Sequence, residues 1–218
     1  MTAAALTPVM LPALQSLDYL GIAVFAASGA LLAAQKKLTL VTFFFLAVAT
    51  GVGGGTVRDL LIGAPVFWLH QNWTLLICLG AALAIWFTPA RPWGERGLVW
   101  LDAIGLAAYA TFGAAKGLAW GAAPLPAFAM GVLTACAGGI IRDLLAEEPS
   151  ILLRPELYVT AAALSAGLMV ALTLAGVPGL IAGAIAALAG FALRAAAILK
   201  GWSLPAYGRQ SAVDRRAD

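Results

Sequence analysis

Apolar residues run along this chain in seven long stretches, near 17–35, 39–57, 72–89, 98–116, 124–141, 157–175 and 179–199, with short polar breaks between them. Each stretch approaches the roughly 20 residues that an α-helix needs to cross a bilayer. The breaks hold residues that end such helices: Lys36-Lys37, the loop from Pro89 to Arg96, Gly121 to Pro126, Glu147-Glu148-Pro149, and Gly176 to Gly179. The pattern predicts an all-α integral membrane protein with seven transmembrane helices. They form one transmembrane domain over 1–200, followed by a polar C-terminal tail over 201–218.

The first three stretches and the next three are copies. Asp18 to Leu69 lies over Asp102 to Leu153 without a gap at an offset of 84 residues, with 17 of 52 positions identical. The strongest block sets Gly54-Gly55-Thr56-Val57-Arg58-Asp59-Leu60-Leu61 over Gly138-Gly139-Ile140-Ile141-Arg142-Asp143-Leu144-Leu145. Repeat one spans about 17–89, repeat two about 98–176, and the seventh helix, about 179–199, stands outside both. Three spans per unit is an odd number, so the second copy must lie upside down in the membrane. That is the inverted-repeat plan of many transporters and some channels.

Composition agrees with a lipid-facing surface. The chain is 62% hydrophobic and 11% charged, with a mean hydropathy of +0.95, against roughly 25% charged residues in soluble domains. The net charge of +3 is small, and its placement is what informs. With the C-terminus inside, Lys36, Lys37, Arg91, Arg96, Arg154, Lys200, Arg209, Arg215 and Arg216 all become cytoplasmic, and little beyond Lys116 is left outside. The positive-inside rule therefore predicts a multi-pass protein of the cell's inner (plasma) membrane, N-terminus outside and C-terminus cytoplasmic. Trp68, Trp73, Trp93, Trp100, Trp120 and Trp202 fall at the expected span ends, as an aromatic belt does. Basic residues spread through loops in this way do not indicate nucleic acid as a partner. Met1 to Gln15 lacks a basic leader region, so no cleaved signal peptide is expected. Cys78 and Cys136 sit inside apolar spans and read as packing residues. No Ser-His-Asp set, metal spacing or phosphate-binding loop is present, so no enzyme and no cofactor are expected.

The chemistry-bearing residues cluster by repeat. Gly53, Gly54 and Gly55 lie deep in the second span, with Gly138 and Gly139 at the matching place in the fifth. Glycine lowers helix stability by roughly 1 kcal/mol relative to alanine, so the cluster can kink or unwind the helix. Matching glycine-broken spans point to a translocation path; the alternative is close packing of helices against small residues. Arg58-Asp59 and Arg142-Asp143 follow the two clusters. Side chains of adjacent residues point in different directions on a helix, so each Arg is expected to find a partner other than its neighbour. Asp18 opens the first span and Asp102 the fourth, which suggests Asp18–Arg58 and Asp102–Arg142 couples at opposite ends of a central path. A purely structural ion pair is the alternative in each case. Lys116 ends the fourth span where the first repeat has Leu32, and reads as a snorkelling or a gating charge. The seventh span carries small residues at helical spacing (Gly179, Gly183, Ala186, Ala187, Gly190), a face suited to tight helix packing.

Two three-span repeats plus a seventh helix, each repeat bearing Gly-Gly-x-x-Arg-Asp on its second helix, resemble the prokaryotic trimeric intracellular cation (TRIC) channel family. The resemblance runs from about Asp18 to Lys200. It implies a homotrimer in the lipid bilayer with a potassium-permeable, monovalent-cation-selective pore in each subunit. It also implies that the second and fifth helices bend at Gly53–Gly55 and Gly138-Gly139 and line that pore with the first and fourth. Some bacterial members of the family resemble small amino acid carriers, so uptake of glycine is the alternative.

Overall fold

A computed structural model describes residues 7–88 and 94–205, with side chains from residue 15 in the first segment and residue 96 in the second. Arg91, Trp93, Arg209, Arg215 and Arg216 lie outside the described residues. Seven helices follow in order: α1 (Thr7–Gln35), α2 (Leu40–Leu61), α3 (Asn72–Phe87), α4 (Gly94–Ala119), α5 (Pro124–Leu145), α6 (Val159–Leu174) and α7 (Gly179–Lys200). Five are long and apolar enough to cross a membrane by themselves. The other two, α3 and α6, have 16 residues each, or about 24 Å at 1.5 Å per residue. They are the third helices of the two repeats, so even this shortfall is duplicated.

The repeat extends to the backbone of the turns. Short 3-10 turns at Phe67–Leu69 and Ile151–Leu153 occupy equivalent places after α2 and α5. Gly63 and Glu147 adopt the same left-handed conformation, at φ of 67° and 54°, as do Gly121 and Lys37 at 83° and 55°. A left-handed backbone costs an ordinary residue about 1–2 kcal/mol. The inverted architecture therefore holds Glu147 and Lys37 in a shape that their counterparts adopt freely.

Helix ends depart from the apolar runs in a consistent way. α2 and α5 each continue four residues beyond the expected ends at 57 and 141, to Leu61 and Leu145. Arg58, Asp59, Arg142 and Asp143 are therefore inside their helices, in the last turn or so. α1 starts at Thr7, so Asp18 lies within the helix and does not open it. α4 starts at Gly94, so Asp102, expected to open the fourth span, likewise lies within its helix.

α1 and α4 form the centre of the bundle and pack against each other, α1 also against α2 and α3, and α4 against α5, α6 and α7. Their contact is reciprocal. Phe25 packs over Gly105, and Tyr109, its repeat equivalent, packs over Gly21, with the two rings 5.2 Å apart. α2 and α5 meet in the same reciprocal manner. A methyl group at Gly138 would stand 2.8 Å from the Thr50 carbonyl oxygen, and one at Gly54 would collide with the Thr134 carbonyl oxygen. Thr50/Thr134 and Gly54/Gly138 are repeat equivalents, so an approximate two-fold axis passes between α2 and α5. Both helices stay helical through the glycines. What the glycines visibly provide is contact of backbone with backbone, as small residues do between membrane helices.

Gly54→Ala and Gly138→Ala are therefore expected to destabilise the folded protein by about 1–3 kcal/mol each, the usual cost of overpacking. Gly80→Ala, at an exposed position on α3 where a methyl group meets nothing within 4 Å, should raise stability by about 0.5–1 kcal/mol. Thermal unfolding of the three variants in detergent checks the contrast.

Candidate functional site

Because the two repeats are inverted, the Arg-Asp pairs at the ends of α2 and α5 lie at opposite ends of the bundle. The first end collects Asp18 of α1, Arg58 and Asp59 of α2, and Lys116 in the last turn of α4. The second collects Asp102 of α4, Arg142 and Asp143 of α5, and Ser28 of α1. Arg58, Asp59 and Asp102 are fully buried, Arg142 is 1% exposed, Asp143 5% and Asp18 7%. Charges so placed normally face a bundle interior or a water-filled cavity.

At the second end the expected couple is made. Arg142 Nη1 donates to Asp102 Oδ1 at 2.8 Å and to Ser28 Oγ at 3.1 Å. At the first end Asp18 and Arg58 make no hydrogen bond. Asp18 Oδ1 and both terminal nitrogens of Arg58 are buried without a partner among the described residues. The difference traces to one pair of repeat equivalents. Ser28 gives Arg142 a hydroxyl to bond, whereas Phe112 in the corresponding place puts its ring 5.2 Å from the Arg58 guanidinium carbon. The Phe67 ring lies 5.8 Å from the same carbon. Two ring faces hold the Arg58 guanidinium by cation–π attraction in place of the Asp18 carboxylate.

Pairing between neighbours, which helical direction disfavours, is present in both repeats. Arg58 Nε donates to Asp59 Oδ1 at 2.8 Å, and Arg142 Nε to Asp143 Oδ1 at 2.9 Å. An arginine stem is long enough to fold back along the helix. Each Asp also faces the loop that follows: Oδ2 of Asp59 accepts from the Phe67 amide at 3.1 Å, and Oδ2 of Asp143 from the Ile151 amide at 2.9 Å. The aspartates thus tie the 3-10 turns to their helices. Lys116 is no surface snorkel. Its ammonium contacts Asp59 Oδ1 at 2.8 Å and Oδ2 at 3.0 Å, with its side chain 12% exposed.

Between the ends lie the glycines. Gly53 faces Ile141, Gly55 faces Phe67, and a methyl group at Gly139 would stand 2.8 Å from Tyr158 Oη and 3.2 Å from Asp102 Oδ1. Tyr109 Oη donates to the Gly51 carbonyl oxygen at 2.6 Å across the α4–α2 contact. The α2–α5 seam between the two charge clusters is therefore closely packed at its midpoint, with carbonyl oxygens and glycines in contact.

Arg194 is a participant that the seventh span's small residues concealed. It is 1% exposed, donates to Glu156 Oε2 at 2.6 Å, and stacks 5.5 Å from the Tyr158 ring centre. An ionised residue within an apolar span was the available signal. His70 is exposed, as an interfacial residue would be. At the mouth of the second end, a cavity of about 260 Å³ is bordered by Arg142, Asp143, Glu148 and Arg154. Lys36 bonds Glu148 at 2.8 Å there and holds its carboxyl below the usual range.

A family model described as "Glycine transporter" matches the chain twice, over residues 15–90 and 99–175, once per repeat. The crystal structure of the TRIC trimeric intracellular cation channel orthologue from Rhodobacter sphaeroides superposes with a TM-score of 0.82 at 44% identity, covering 87% of this chain and 98% of that one. A Vibrio cholerae membrane protein is 42% identical over 154 residues, which are 66% of this chain and 62% of its own length. The Escherichia coli inner membrane protein YadS is 41% identical over 150 residues, 66% of this chain and 72% of that protein.

Removing one partner of Asp102–Arg142 strands a buried charge, a change that costs about 3–5 kcal/mol. A double-mutant cycle of Asp102→Asn and Arg142→Gln is expected to show strong non-additivity in unfolding free energy. The water-exposed pair should show coupling near zero in a Lys36→Ala and Glu148→Gln cycle. Equal coupling in both cycles contradicts the assignment.

Proposed function

The chain belongs to the family described as "Glycine transporter", by a model that matches each of its repeats, and to the prokaryotic TRIC channels by fold and sequence; from that premise we propose that it is a potassium-permeable, monovalent cation channel with a pore in each subunit of a homotrimer. The observation that carries this reading is the pair of buried charge clusters at opposite ends of one α2–α5 seam. A pore selects ions by lining dipoles, charged groups and constrictions, and needs no tight binding site. The middle of the bundle supplies what a partly hydrated cation requires: the Thr50 and Thr134 carbonyl oxygens and glycine backbone. Conduction then means parting α2 from α5 at Gly53–Gly55 and Gly138-Gly139, where no side chains interlock at the closest approach. Asp18, Asp59, Asp102 and Asp143 would line the two ends of the route, with Arg58 and Lys116 holding Asp59, and Arg142 holding Asp102 and Asp143.

A carrier for glycine is the second reading, favoured by the family's description and by the cavity at the second end. That cavity borders Arg142 and Arg154 as well as Asp143 and Glu148, charges of both signs suited to a carboxylate and an ammonium.

The second end holds Lys36, Lys37, Arg96, Arg154 and Lys200, while Lys116 is the basic residue of the first end besides Arg58. The positive-inside rule puts the second end in the cytoplasm, with the N-terminus outside and the C-terminus inside. Reporter fusions after Trp93 and after Lys200 are expected to give cytoplasmic signals; a periplasmic signal at either point contradicts that orientation. For the activity, unitary current under a potassium gradient should be compared with counterflow of labelled glycine in the same proteoliposomes. Discrete potassium current steps are expected. Saturable glycine exchange without such steps would replace the channel by the carrier.

A further inference from the structure

Asp59 and Asp143 are repeat equivalents in nearly identical surroundings. Each accepts its neighbouring arginine through Oδ1 and a loop amide through Oδ2. Asp59 has one partner more. The Lys116 ammonium spans both of its oxygens, at 2.8 and 3.0 Å. The position equivalent to Lys116 is Leu32, which has no charge to offer. Where an ammonium would be, the second end has open space: the cavity of about 260 Å³ that Leu32, Arg142 and Asp143 all line.

The charge count differs in the same place. At the first end Asp18 and Asp59 face Arg58 and Lys116, and the four charges cancel. At the second, Asp102 and Asp143 face Arg142, and Arg194, the other guanidinium near Asp102, is bonded to Glu156. The rim charges do not repair this: Glu148 is engaged by Lys36, and Arg154 is exposed to water, where its charge is screened. A buried negative charge without compensation is costly, and a cation relieves it.

We propose that a monovalent metal cation of about potassium's size sits in this cavity beside Asp143, at the place that the Lys116 ammonium occupies beside Asp59. The inverted repeat thus uses one carboxylate site twice, with a tethered cation at one end and an exchangeable one at the other. This deepens the cation-channel reading and rests on it, naming the cavity as the ion's station at the second mouth. Leu32 leaves the site open, and lysine there would fill it.

Thallium(I), which resembles potassium in size and scatters anomalously, is the probe. Crystals of the full-length protein grown in a thallium salt should show an anomalous peak beside Asp143. Leu32→Lys should abolish that peak and lower thallium affinity in detergent at least tenfold, whereas Leu32→Met should keep both within twofold. Lys116→Leu should gain a second peak beside Asp59. Absence of the Asp143 peak in the native protein, or its persistence in Leu32→Lys, overturns the site. Unitary potassium currents recorded on the same preparation separate this outcome from the broader one. Currents without a thallium peak refute the station and leave the channel, while a peak without currents supports the station and refutes the channel.

Discussion

The rest of the structure depends on the crossing of α2 and α5. Each helix covers a threonine carbonyl oxygen of the other with a glycine, Gly54 over Thr134 and Gly138 over Thr50. No side chain fits there, so two backbones lie in contact at the middle of the bundle. Without hydrophobic attraction between helices in lipid, such close packing is a main source of association. The crossing also fixes the approximate two-fold axis. Once α2 and α5 meet this way, α1 and α4 must meet in the same symmetric manner, as Phe25 on Gly105 and Tyr109 on Gly21 do.

From that axis follows the placement of the charges. Helices related by an inverted repeat deliver identical Arg-Asp motifs to opposite ends, and the glycine seam lies between them. The departures from symmetry are few and consequential. Ser28 against Phe112 decides whether an arginine reaches the aspartate of the neighbouring helix or stacks on aromatic rings. Leu32 against Lys116 decides whether an aspartate paired with its neighbouring arginine gains a second cation or faces a cavity. The two ends of the bundle are therefore chemically unlike, although their backbones match down to the left-handed turns at Lys37 and Gly121.

Most of the architecture was legible in the sequence, because span length and a constant 84-residue offset are properties of the chain itself. The Asp102–Arg142 couple was legible for the same reason, as two charges placed at one end of two apolar spans that had to pack together. Asp18–Arg58 was not, because its outcome rests on Phe112, a residue that reads as core filling until its ring is placed. The neighbour pairs Arg58–Asp59 and Arg142–Asp143 ran against helical direction, since the reach of an arginine stem matters more than the direction of its Cβ. Arg194 was hidden behind the small residues of its own helix. The tie from each aspartate to a loop amide eight residues on needed the 3-10 turns, which leave no periodic signature.

The central claim is that ions pass along the α2–α5 seam. In a chain carrying Cys78→Ala and Cys136→Ala, Ile141, whose side chain lies against Gly53 across the seam, can be changed to Cys and exposed to a small cationic thiol reagent during current recording. The account predicts modification that blocks current, proceeds only while the protein conducts, and occurs from either side of the membrane. Conduction that persists with Ile141→Cys unreactive would mean that the ions take another route.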